Sequence, residues 1–522
     1  MPQRAHRTMK LFRLLLACLA FTAMFSSTLC RLNAADQPNI VFILIDDMPW
    51  SGTPVRMDAD MPESAMAFLN MPNVEKLAAQ GMTFRNARAA AGMCAPSRCS
   101  ILTGMMTARH LYSGNGGFGP KTDGNVKYMS RKEDARLPLF QPEPQGNIRF
   151  PSIGDVLKAS GYATAHFGKW HLYGGGPANH GFDESDGETD NKSFRPLVLP
   201  TGKKADTSED PKFIFSITDR SVDFVERQAR AGKPFFVQLS HYATHAFFQA
   251  REATLEKNAK NPVFAKIENP RERANAVLSA AMTEDLDTSI GTVLAKLDEL
   301  GIAENTYVIF TSDNGYHSWN ESHDPLRGAK WWLWENGLRV PMIVRGPDVP
   351  AGSRTAVNVV GYDFLPTFAD LAGATQHVSK DVDGISLKPV LLGHPVSESD
   401  SNRALYFHYP HYRVSPPCSA IVIGDTKLLH FYEWPDDNFS YDLKTDLGET
   451  NNIAKANPDR TAHMYQQMMD RLKAVGGYFP KSNPNADPNA RRYDPSNLSD
   501  QGEGDDPEAG GNNKAAAGKP TK

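Results

Sequence analysis

Cysteine is scarce in this chain, with five among 522 residues. Cys18 and Cys30 fall within the first 35 residues, so the rest of the chain holds only Cys94, Cys99 and Cys418. Three thiols cannot form a disulfide framework, although one bridge from Cys418 to Cys94 or Cys99 remains open. At least one thiol is then left over, and we expect it to be buried, reactive or modified.

Long hydrophobic runs are also lacking. The apolar run Leu14–Phe25 is short and is interrupted by Ser26 and Ser27, which argues against a transmembrane anchor. Basic residues precede this run and the small pair Ala34 and Ala35 follows it, which is the pattern of a cleaved signal peptide. We therefore predict a signal peptide over residues 1–35, export to the periplasm or beyond the cell, and no stable membrane insertion after cleavage.

The chain has no excess of positive charge: 56 basic residues stand against 60 acidic ones, for a net charge of −4. Removing residues 1–35 removes five basic residues and no acid, which leaves 51 against 60 and a net charge of −9. This balance excludes nucleic acid and anionic membrane surfaces as expected partners.

The apolar pattern predicts an α/β fold. Runs typical of strands buried in parallel sheets recur at 39–45, 162–167, 234–240, 306–310 and 340–344. Helical patterns lie at 74–80, 97–109, 153–160, 221–230 and 274–300. Such alternation predicts a large mixed, mostly parallel sheet sandwiched by helices.

Near residue 401 the alternation of strand and helix patterns gives way to a series of short strand patterns, which suggests a domain boundary. We predict a large domain over 36–400 and a smaller α+β subdomain over 401–480, with antiparallel strands and a helix near 458–475. Residues 481–522 are poor in large apolar side chains, and we predict a disordered tail. No internal repeat is present.

Polar groups follow four of the predicted strands. Asp46 and Asp47 follow the first, "GKWH" (168–171) the second, His241 and His245 the third, and Asp313 with Asn314 the fourth. Each group alone is explained by helix caps, turns or solvated side chains. Because ligands of open α/β sheets bind at the carboxyl ends of the strands, their shared position predicts one site.

The side chains of these groups sort into two chemical sets. One set offers hard oxygen ligands for a single divalent cation, and no thiolate or imidazole cluster suggests zinc: Asp46, Asp47, Asp313 and Asn314. The other set offers cations or groups that can become cations, which suit a small oxyanion: Lys169, His171, His245 and Lys330.

Cys94 belongs to the same picture. Pro96 and Ser97 are favourable in the first turn of a helix, which places Cys94 at a helix N-terminus, where amide groups and the helix dipole favour negative charge. A buried cysteine beside a capped helix stays open on these residues alone.

The segment "CAPSRCSILTG" (94–104) resembles the sulfatase signature, a Cys-x-Pro-Ser-Arg box followed by Leu-Thr-Gly. "NIVFILIDDM", "GKWH", "PFFVQLSHYATH", "VIFTSDNG" and "LRGAKWWLWENGLRVPMIVRGP" resemble further sulfatase blocks in the same order. The resemblance extends over about residues 38–455. It implies an alkaline-phosphatase-like fold and hydrolysis of sulfuric esters.

The resemblance also implies cofactors and roles. Cys94 would be oxidised to formylglycine (3-oxoalanine) by a maturation enzyme during export, and its hydrate would attack sulfur. One Ca²⁺ would be held by Asp46, Asp47, Asp313, Asn314 and the modified residue 94. The remaining roles fall to basic side chains: His245 and Lys330 help protonate the leaving alcohol, His171 helps expel sulfate, and Arg98 and Lys169 hold the developing charge. His241 and Cys99 are expected to be structural.

The expected substrate is a sulfated carbohydrate or an aryl sulfate. The candidate contacts are aromatic or imidazole side chains: Tyr173, His180, Trp319, His408 and His411. The sequence departs from the family at Ala246, where a proline often follows the histidine.

Two other functions remain open. The same fold supports phosphomonoesterases and phosphodiesterases, but these usually have Ser or Thr with two metals, whereas this chain offers a cysteine box and one oxygen-rich metal site. A non-catalytic protein that binds sulfated glycans would result if Cys94 stayed unmodified.

Overall fold

The computed structural model describes residues 37–114, 150–191, 208–245, 248–315, 325–410, 415–484 and 495. The predicted signal peptide, Trp319, His411 and nearly all of the predicted tail lie outside the described residues. A helix capable of crossing a membrane is absent from these ranges. The boundaries of the predicted domains stay predictions.

Fourteen strands lie in the described ranges. They are β1 (Asn39–Ile45), β2 (Met82–Phe84), β3 (Ala87–Arg88), β4 (Ala163–Gly168), β5 (Glu184–Ser185), β6 (Phe235–Ser240), β7 (Thr306–Ser312), β8 (Met342–Arg345), β9 (Ser353–Thr355), β10 (Val359–Val360), β11 (Ala404–Tyr409), β12 (Cys418–Ile423), β13 (Thr426–Phe431) and β14 (Phe439–Asp442).

The described α-helices run between and after these strands. They are α1 (Pro72–Ala79), α2 (Cys94–Thr103), α3 (Thr107–His110), α4 (Ile153–Ala159), α5 (Ile214–Arg230), α6 (Glu252–Ala259), α7 (Pro270–Glu299), α8 (Glu335–Leu338), α9 (Phe364–Leu371), α10 (Lys388–Leu391), α11 (Glu398–Ser401) and α12 (Pro458–Ala474). Short 3₁₀ turns complete them, among them Pro177–His180 and Pro211–Phe213.

The large sheet has the strand order β5-β4-β6-β1-β7-β8-β2-β9. The neighbours from β5 to β7 are all parallel, whereas β8 runs antiparallel to both β7 and β2. The mixed, mostly parallel sheet predicted from sequence is therefore confirmed. Ser240 pairs with both Gly168 and Leu44, and Ile45 pairs with Ser312, so four strands end along one edge.

Strand β1 is buried on both faces. Val41, Ile43 and Ile45 pack into one apolar cluster together with residues of α5 and α7. The alternate residues, among them Phe42, pack into a second cluster with residues of α4 and α9, where the Phe42 and Phe364 rings lie 5.0 Å apart. A strand with two apolar faces requires helices on both sides of the sheet, as observed.

Two elements differ from the sequence prediction. The helix expected over 97–109 is split into α2 and α3, because Gly104 adopts a left-handed conformation with φ of 69° and ends the first helix. The apolar run at 340–344 is of the type that predicts a parallel strand, but β8 is antiparallel to β7, because an apolar run does not encode strand direction.

The C-terminal sheet is antiparallel, in the order β11-β12-β13-β14, and α12 packs on it, as the fold prediction expected. Its apolar residues belong to the same cluster as one face of the large sheet. Trp334 joins the two, since its ring lies 5.7 Å from the rings of Phe431 and Tyr441. The smaller sheet therefore shares a core with the larger one.

Candidate active site

The carboxyl end of β1 carries Asp46 and Asp47, both buried. The amide of Asp46 donates to the Ala243 carbonyl over 2.9 Å, which ties β1 to the segment after β6. Asp47 has φ of 60°, a left-handed conformation that aspartate tolerates better than most residues. This turn directs two consecutive carboxylates into the site.

Strand β7 contributes Asp313 and Asn314 at the same edge. The Asp313 amide donates to the Ile45 carbonyl over 3.0 Å, so the ladder between β1 and β7 continues one residue past the strands. Asn314 Nδ2 donates to Asp47 Oδ1 over 2.8 Å. Both side chains are buried, and the two strand ends form one oxygen-rich cluster.

Cys94 is the first residue of α2 and is buried. Its Sγ lies 3.3 Å from Asp46 Oδ1 and 3.6 Å from Asp47 Oδ1. The placement at a helix N-terminus, predicted from Pro96 and Ser97, is confirmed, although the helix begins three residues before Ser97. The three described cysteines are all free and buried, so the bridge left open for Cys418 is absent.

Three buried cations surround the carboxylates. Lys169 forms an ion pair with Asp46, and Lys330 Nζ lies 2.8 Å from Asp47 Oδ2. Arg98 Nε donates to Asp313 Oδ2 over 2.7 Å, and its Nη1 donates to the Lys169 carbonyl over 2.6 Å. Each carboxylate of the cluster therefore faces its own cation.

Gly168 allows the "GKWH" segment to reach this position. Its φ is 93°, and a Cβ atom there would overlap the Ser240 carbonyl. The next residue, Lys169, donates its amide to that same carbonyl over 2.7 Å. Close approach of β4 to β6 is what points the Lys169 side chain at Asp46.

The charges of the cluster shift the pKa values of its members. Burial would raise the pKa of Asp46, but Lys169, His245, Arg98 and Lys330 outweigh it and hold this pKa well below its usual range. Burial raises the pKa of Asp313 to about 6 although Arg98 opposes the change. Burial and the Asp46 charge raise the pKa of the Cys94 thiol well above its ordinary value.

The candidate histidines lie beside the cluster. His245 Nε2 is 3.7 Å from Asp47 Oδ2, the oxygen that Lys330 also contacts. His171 is buried with φ of 59°, and its amide donates to the Thr189 carbonyl over 2.7 Å. His241 is fully buried, and burial lowers its pKa to about 3, which agrees with the structural role expected of it.

Three of the predicted substrate contacts lie in the described residues, and their environments differ. Tyr173 follows the "GKWH" segment and is 47% exposed, whereas His180 is buried with its ring stacked on Trp170 at 5.5 Å. His408 is also buried, and its Nδ1 lies 2.7 Å from Ser419 Oγ while its Nε2 lies 2.6 Å from the Tyr478 carbonyl. Both ring nitrogens of His408 are therefore bonded inside the protein, which favours Tyr173 over His408 as a substrate contact.

The sequence did not single out two residues that the structure brings to the cluster. Ser240 Oγ accepts from Arg98 Nη1 over 2.6 Å and donates to the Lys169 carbonyl over 2.7 Å. A polar residue at the end of a buried strand was the available signal. Lys212 is buried, and its Nζ donates to the His245 carbonyl over 2.8 Å. Burial lowers the pKa of Lys212 to about 7.

The donor atoms fit a hard divalent cation. Oxygens of Asp46, Asp47 and Asp313 lie within 4.8 Å of one another, and the sulfur of Cys94, the residue expected to be modified, lies within the same distance. Among the described residues, Asn314 Oδ1 is buried without a hydrogen-bond partner. A buried carbonyl oxygen left unpaired is costly unless a ligand meets it, and carboxylate plus amide oxygens are the set that Ca²⁺ prefers.

A family model described as Sulfatase matches residues 38–374, which is more than half of the chain. The chain belongs to the sulfatase family. It is a sulfuric ester hydrolase with an alkaline-phosphatase-like fold, as its resemblance to the family implied. A second model, N-sulphoglucosamine sulphohydrolase, C-terminal, matches residues 328–476 of this sulfatase.

Known sulfatases resemble the chain over most of its length. A sulfatase of Formosa agariphila is 28% identical over 538 residues, which cover 89% of this chain and 93% of that protein. The N-acetylgalactosamine-6-sulfatase of Canis lupus familiaris is 28% identical over 436 residues, which cover 77% and 73% respectively.

A solved structure supports the fold. The crystal structure of Ps i-CgsB in complex with k-i-k-neocarrahexaose has a TM-score of 0.64 at 23% identity, covering 85% of this chain and 95% of that chain. This likeness concerns the fold alone. The roles of individual residues in the site remain predictions.

Proposed function

We propose that this sulfatase removes sulfate from a sulfated carbohydrate outside the cytoplasm, with a nucleophile made from Cys94 and with one bound Ca²⁺. The observation that carries the proposal is the position of Cys94 Sγ between Asp46 and Asp47, 3.3 and 3.6 Å from their oxygens. Each of these carboxylates is paired with a buried lysine.

The environment of Cys94 is unsuited to a thiolate nucleophile. Because burial and the Asp46 charge raise its pKa well above the ordinary value, the unmodified thiol stays protonated at neutral pH. The position fits a neutral precursor of formylglycine better than a working thiolate. Formylglycine at residue 94 would supply a hydrated aldehyde as nucleophile, and Ca²⁺ would polarise the sulfuryl oxygens.

Charge balance favours an anionic substrate. Three buried carboxylates, Asp46, Asp47 and Asp313, face three buried cations, Arg98, Lys169 and Lys330. A divalent ion added to this balanced set leaves a net positive site, which attracts the single negative charge of a sulfate ester.

The two sides of the cluster suit different tasks. On one side, Lys330 and His245 converge on Asp47 Oδ2, so both can present a proton to an oxygen leaving from sulfur. On the other side, Lys169 and Arg98 lie at Asp46 and Asp313, where they hold the developing negative charge. His171 is the candidate to accept the proton that is lost when sulfate departs.

The carbohydrate substrate rests on the relatives, because the N-acetylgalactosamine-6-sulfatase match extends over 77% of the chain. Tyr173, the large exposed aromatic beside the "GKWH" segment, is our candidate for stacking on a sugar ring. Export follows from the pattern of residues 1–35, and a maturation enzyme for Cys94 would act during export.

Mass spectrometry of the tryptic peptide 89–98 tests the nucleophile. Protein exported by a host with the maturation enzyme should carry an aldehyde in place of the Cys94 thiol. Cys94→Ala should abolish sulfate release, whereas Cys99→Ala, its matched control five residues along the same helix, should retain it. An unaltered thiol in active protein would contradict the proposal.

A panel of sulfated mono- and oligosaccharides, with 4-nitrophenyl sulfate and 4-nitrophenyl phosphate beside them, tests the substrate class. We expect sulfate release from sugar sulfates and little hydrolysis of the phosphate ester. Faster hydrolysis of phosphate than of every sulfate would favour the phosphatase alternative instead.

A further inference from the structure

Lys212 is a buried lysine that the proposed chemistry does not use. It is 1% exposed and lies in the 3₁₀ turn Pro211–Phe213, directly before α5. Burying an ammonium group is costly unless its charge and donors are engaged. Its Nζ lies 2.8 Å from the carbonyl of His245, whose imidazole lies 3.7 Å from Asp47 Oδ2, so this ammonium group lies beside the candidate active site.

The backbone around Lys212 is strained in a way that aims its side chain inward. Lys212 and Phe213 have φ of 56° and 55°, two consecutive left-handed residues of which neither is glycine. Such conformations persist only where the surroundings hold them, and they cluster at functional sites.

Hydrogen bonds to Asp210 stabilise this left-handed turn. Its Oδ1 accepts from the Phe215 amide over 2.8 Å and from the Ser216 amide over 3.3 Å, so it anchors the first turn of α5. The Phe213 amide donates to the Asp210 carbonyl over 3.2 Å, which closes the turn.

Lys212 donates two hydrogen bonds to the segment that carries His245. Its Nζ donates to the His245 carbonyl over 2.8 Å, and its amide donates to Gln249 Oε1 over 3.2 Å. On the other side of His245, the Thr244 amide donates to the Asp46 carbonyl over 2.7 Å. The backbone is therefore held on both sides of the His245 side chain. The amide of Thr244 is bonded to Asp46, and the carbonyl of His245 is bonded to Lys212.

We propose that Lys212 is a positioning residue that holds His245 in place for proton donation to the leaving alcohol. The inference rests on the proposed function, which assigns this role to His245. Without the Lys212 contact, the His245 carbonyl loses its side-chain donor, and the imidazole is no longer held beside Asp47 Oδ2, the oxygen that Lys330 also contacts. Hydrolysis of an ester whose leaving group departs without protonation should keep nearly its full rate.

Steady-state kinetics of Lys212→Met with two substrates test this. On the best sugar sulfate of the panel, whose alcohol leaves poorly, kcat should fall by about 10–100-fold with KM little changed. On 4-nitrophenyl sulfate, whose phenolate leaves readily, the loss should stay below about threefold. Lys212→Arg, which keeps a cationic donor, should recover part of the loss.

Lys388→Met is the matched control, since Lys388 Nζ also donates to a main-chain carbonyl, that of Asp370, over 3.1 Å. It should leave both rates unchanged. Equal losses on the two substrates for Lys212→Met, or no loss on either, would overturn the inference. If the methionine variant does not fold, Lys212→Gln, which retains an uncharged donor, takes its place.

Amide hydrogen exchange gives a second readout that needs no turnover. The amides of Thr244 and His245 should exchange about tenfold faster in Lys212→Met than in the unsubstituted enzyme, and at unchanged rates in Lys388→Met. Unchanged exchange in Lys212→Met would contradict the inference. If the unsubstituted enzyme were inactive on all sulfates, the proposed function would be wrong. The exchange rates would still show whether Lys212 holds the segment that carries His245.

Discussion

Arg98 Nε donates to Asp313 Oδ2 over 2.7 Å, and its Nη2 lies 2.7 Å from the same oxygen, with both side chains buried. Arg98 belongs to α2 and Asp313 follows β7, so the pair ties the cysteine helix to the edge of the sheet. Burial would lower the pKa of Arg98, but the charges of Asp313 and Asp46 raise it, which keeps the guanidinium charged.

Arg98→Met should therefore be damaging in two ways. It leaves a buried carboxylate without its cation, which typically costs about 3–5 kcal/mol of unfolding free energy. It also removes charge stabilisation at the site, for which we expect at least about a 100-fold loss in kcat. Chemical denaturation and sulfate-release assays measure the two effects.

Arg227→Met is the control for Arg98, because Arg227 pairs with Glu184 and Asp223 on the surface and is 47% exposed. Such pairs contribute about 0–1 kcal/mol, so this variant should stay stable and active. An Arg98→Met enzyme as active as the control would refute the assigned role.

Removal of calcium should inactivate the enzyme and lower its melting temperature. Without the ion, the carboxylates of Asp46, Asp47 and Asp313 lose their shared ligand, and Ca²⁺ at about 100 times its dissociation constant would stabilise the fold by about 2.7 kcal/mol. Dialysis against a chelator, followed by readdition of Ca²⁺, measures both effects. Full activity after exhaustive chelation would contradict the metal assignment.

Asn314→Ala should weaken calcium binding selectively. This variant removes the buried Oδ1 that has no protein partner among the described residues, so the increase in melting temperature on adding Ca²⁺ should shrink. Asn402→Ala, at an exposed position, should leave that increase unchanged.

We expect the fold to lose stability as the pH falls from 7 to 5, which is above the pH range in which carboxylates usually titrate. Burial lowers the pKa from 6.5 to about 3 for His110, His166 and His241 and to about 4 for His408. The unfolded chain takes up these protons below about pH 6.5 while the folded chain does not, so stability falls as pH decreases. Each histidine contributes a loss of about 2 kcal/mol between pH 7 and pH 5.

His110 offers a single-site check of this pH effect. Its Nδ1 accepts from the Tyr112 amide over 3.0 Å, so protonation there would set two N–H groups against each other. In thermal melts from pH 7 to pH 5, His110→Gln should lose stability less steeply than the unsubstituted protein. Exposed His463→Gln should show the unsubstituted slope; a flat profile for the unsubstituted protein would disprove the account.

Lys427→Met should weaken the junction of the two sheets. Lys427 Nζ lies 3.0 Å from Glu335 Oε1 and 2.8 Å from Glu449 Oε1, and all three side chains are buried. Burial raises the pKa of Glu449 to about 7 even beside this lysine, so removing the cation leaves two facing carboxyls. Unfolding free energy should drop by about 3–5 kcal/mol, and more at pH 8 than at pH 6; equal loss at both pH values would contradict this reading.

Much of the site could be predicted because it consists of side chains that directly follow strands. Asp46, Lys169, His245 and Asp313 come after buried apolar runs, and parallel strands end at one edge whatever their order. A polar residue directly after an apolar run can be recognised from the local sequence alone. Lys212 carries no such pattern, since two left-handed residues bring it to His245, and neither is glycine.

The sequence by itself determined the family, the α/β class and the identity of the groups that follow the strands, because these depend on residue type and short spacing. Only the tertiary structure decided that β8 is antiparallel, that His408 is bonded within the protein, and that Cys94 lies between two carboxylates. These depend on contacts between residues far apart in the chain. Packing selects such contacts among many that local pattern allows.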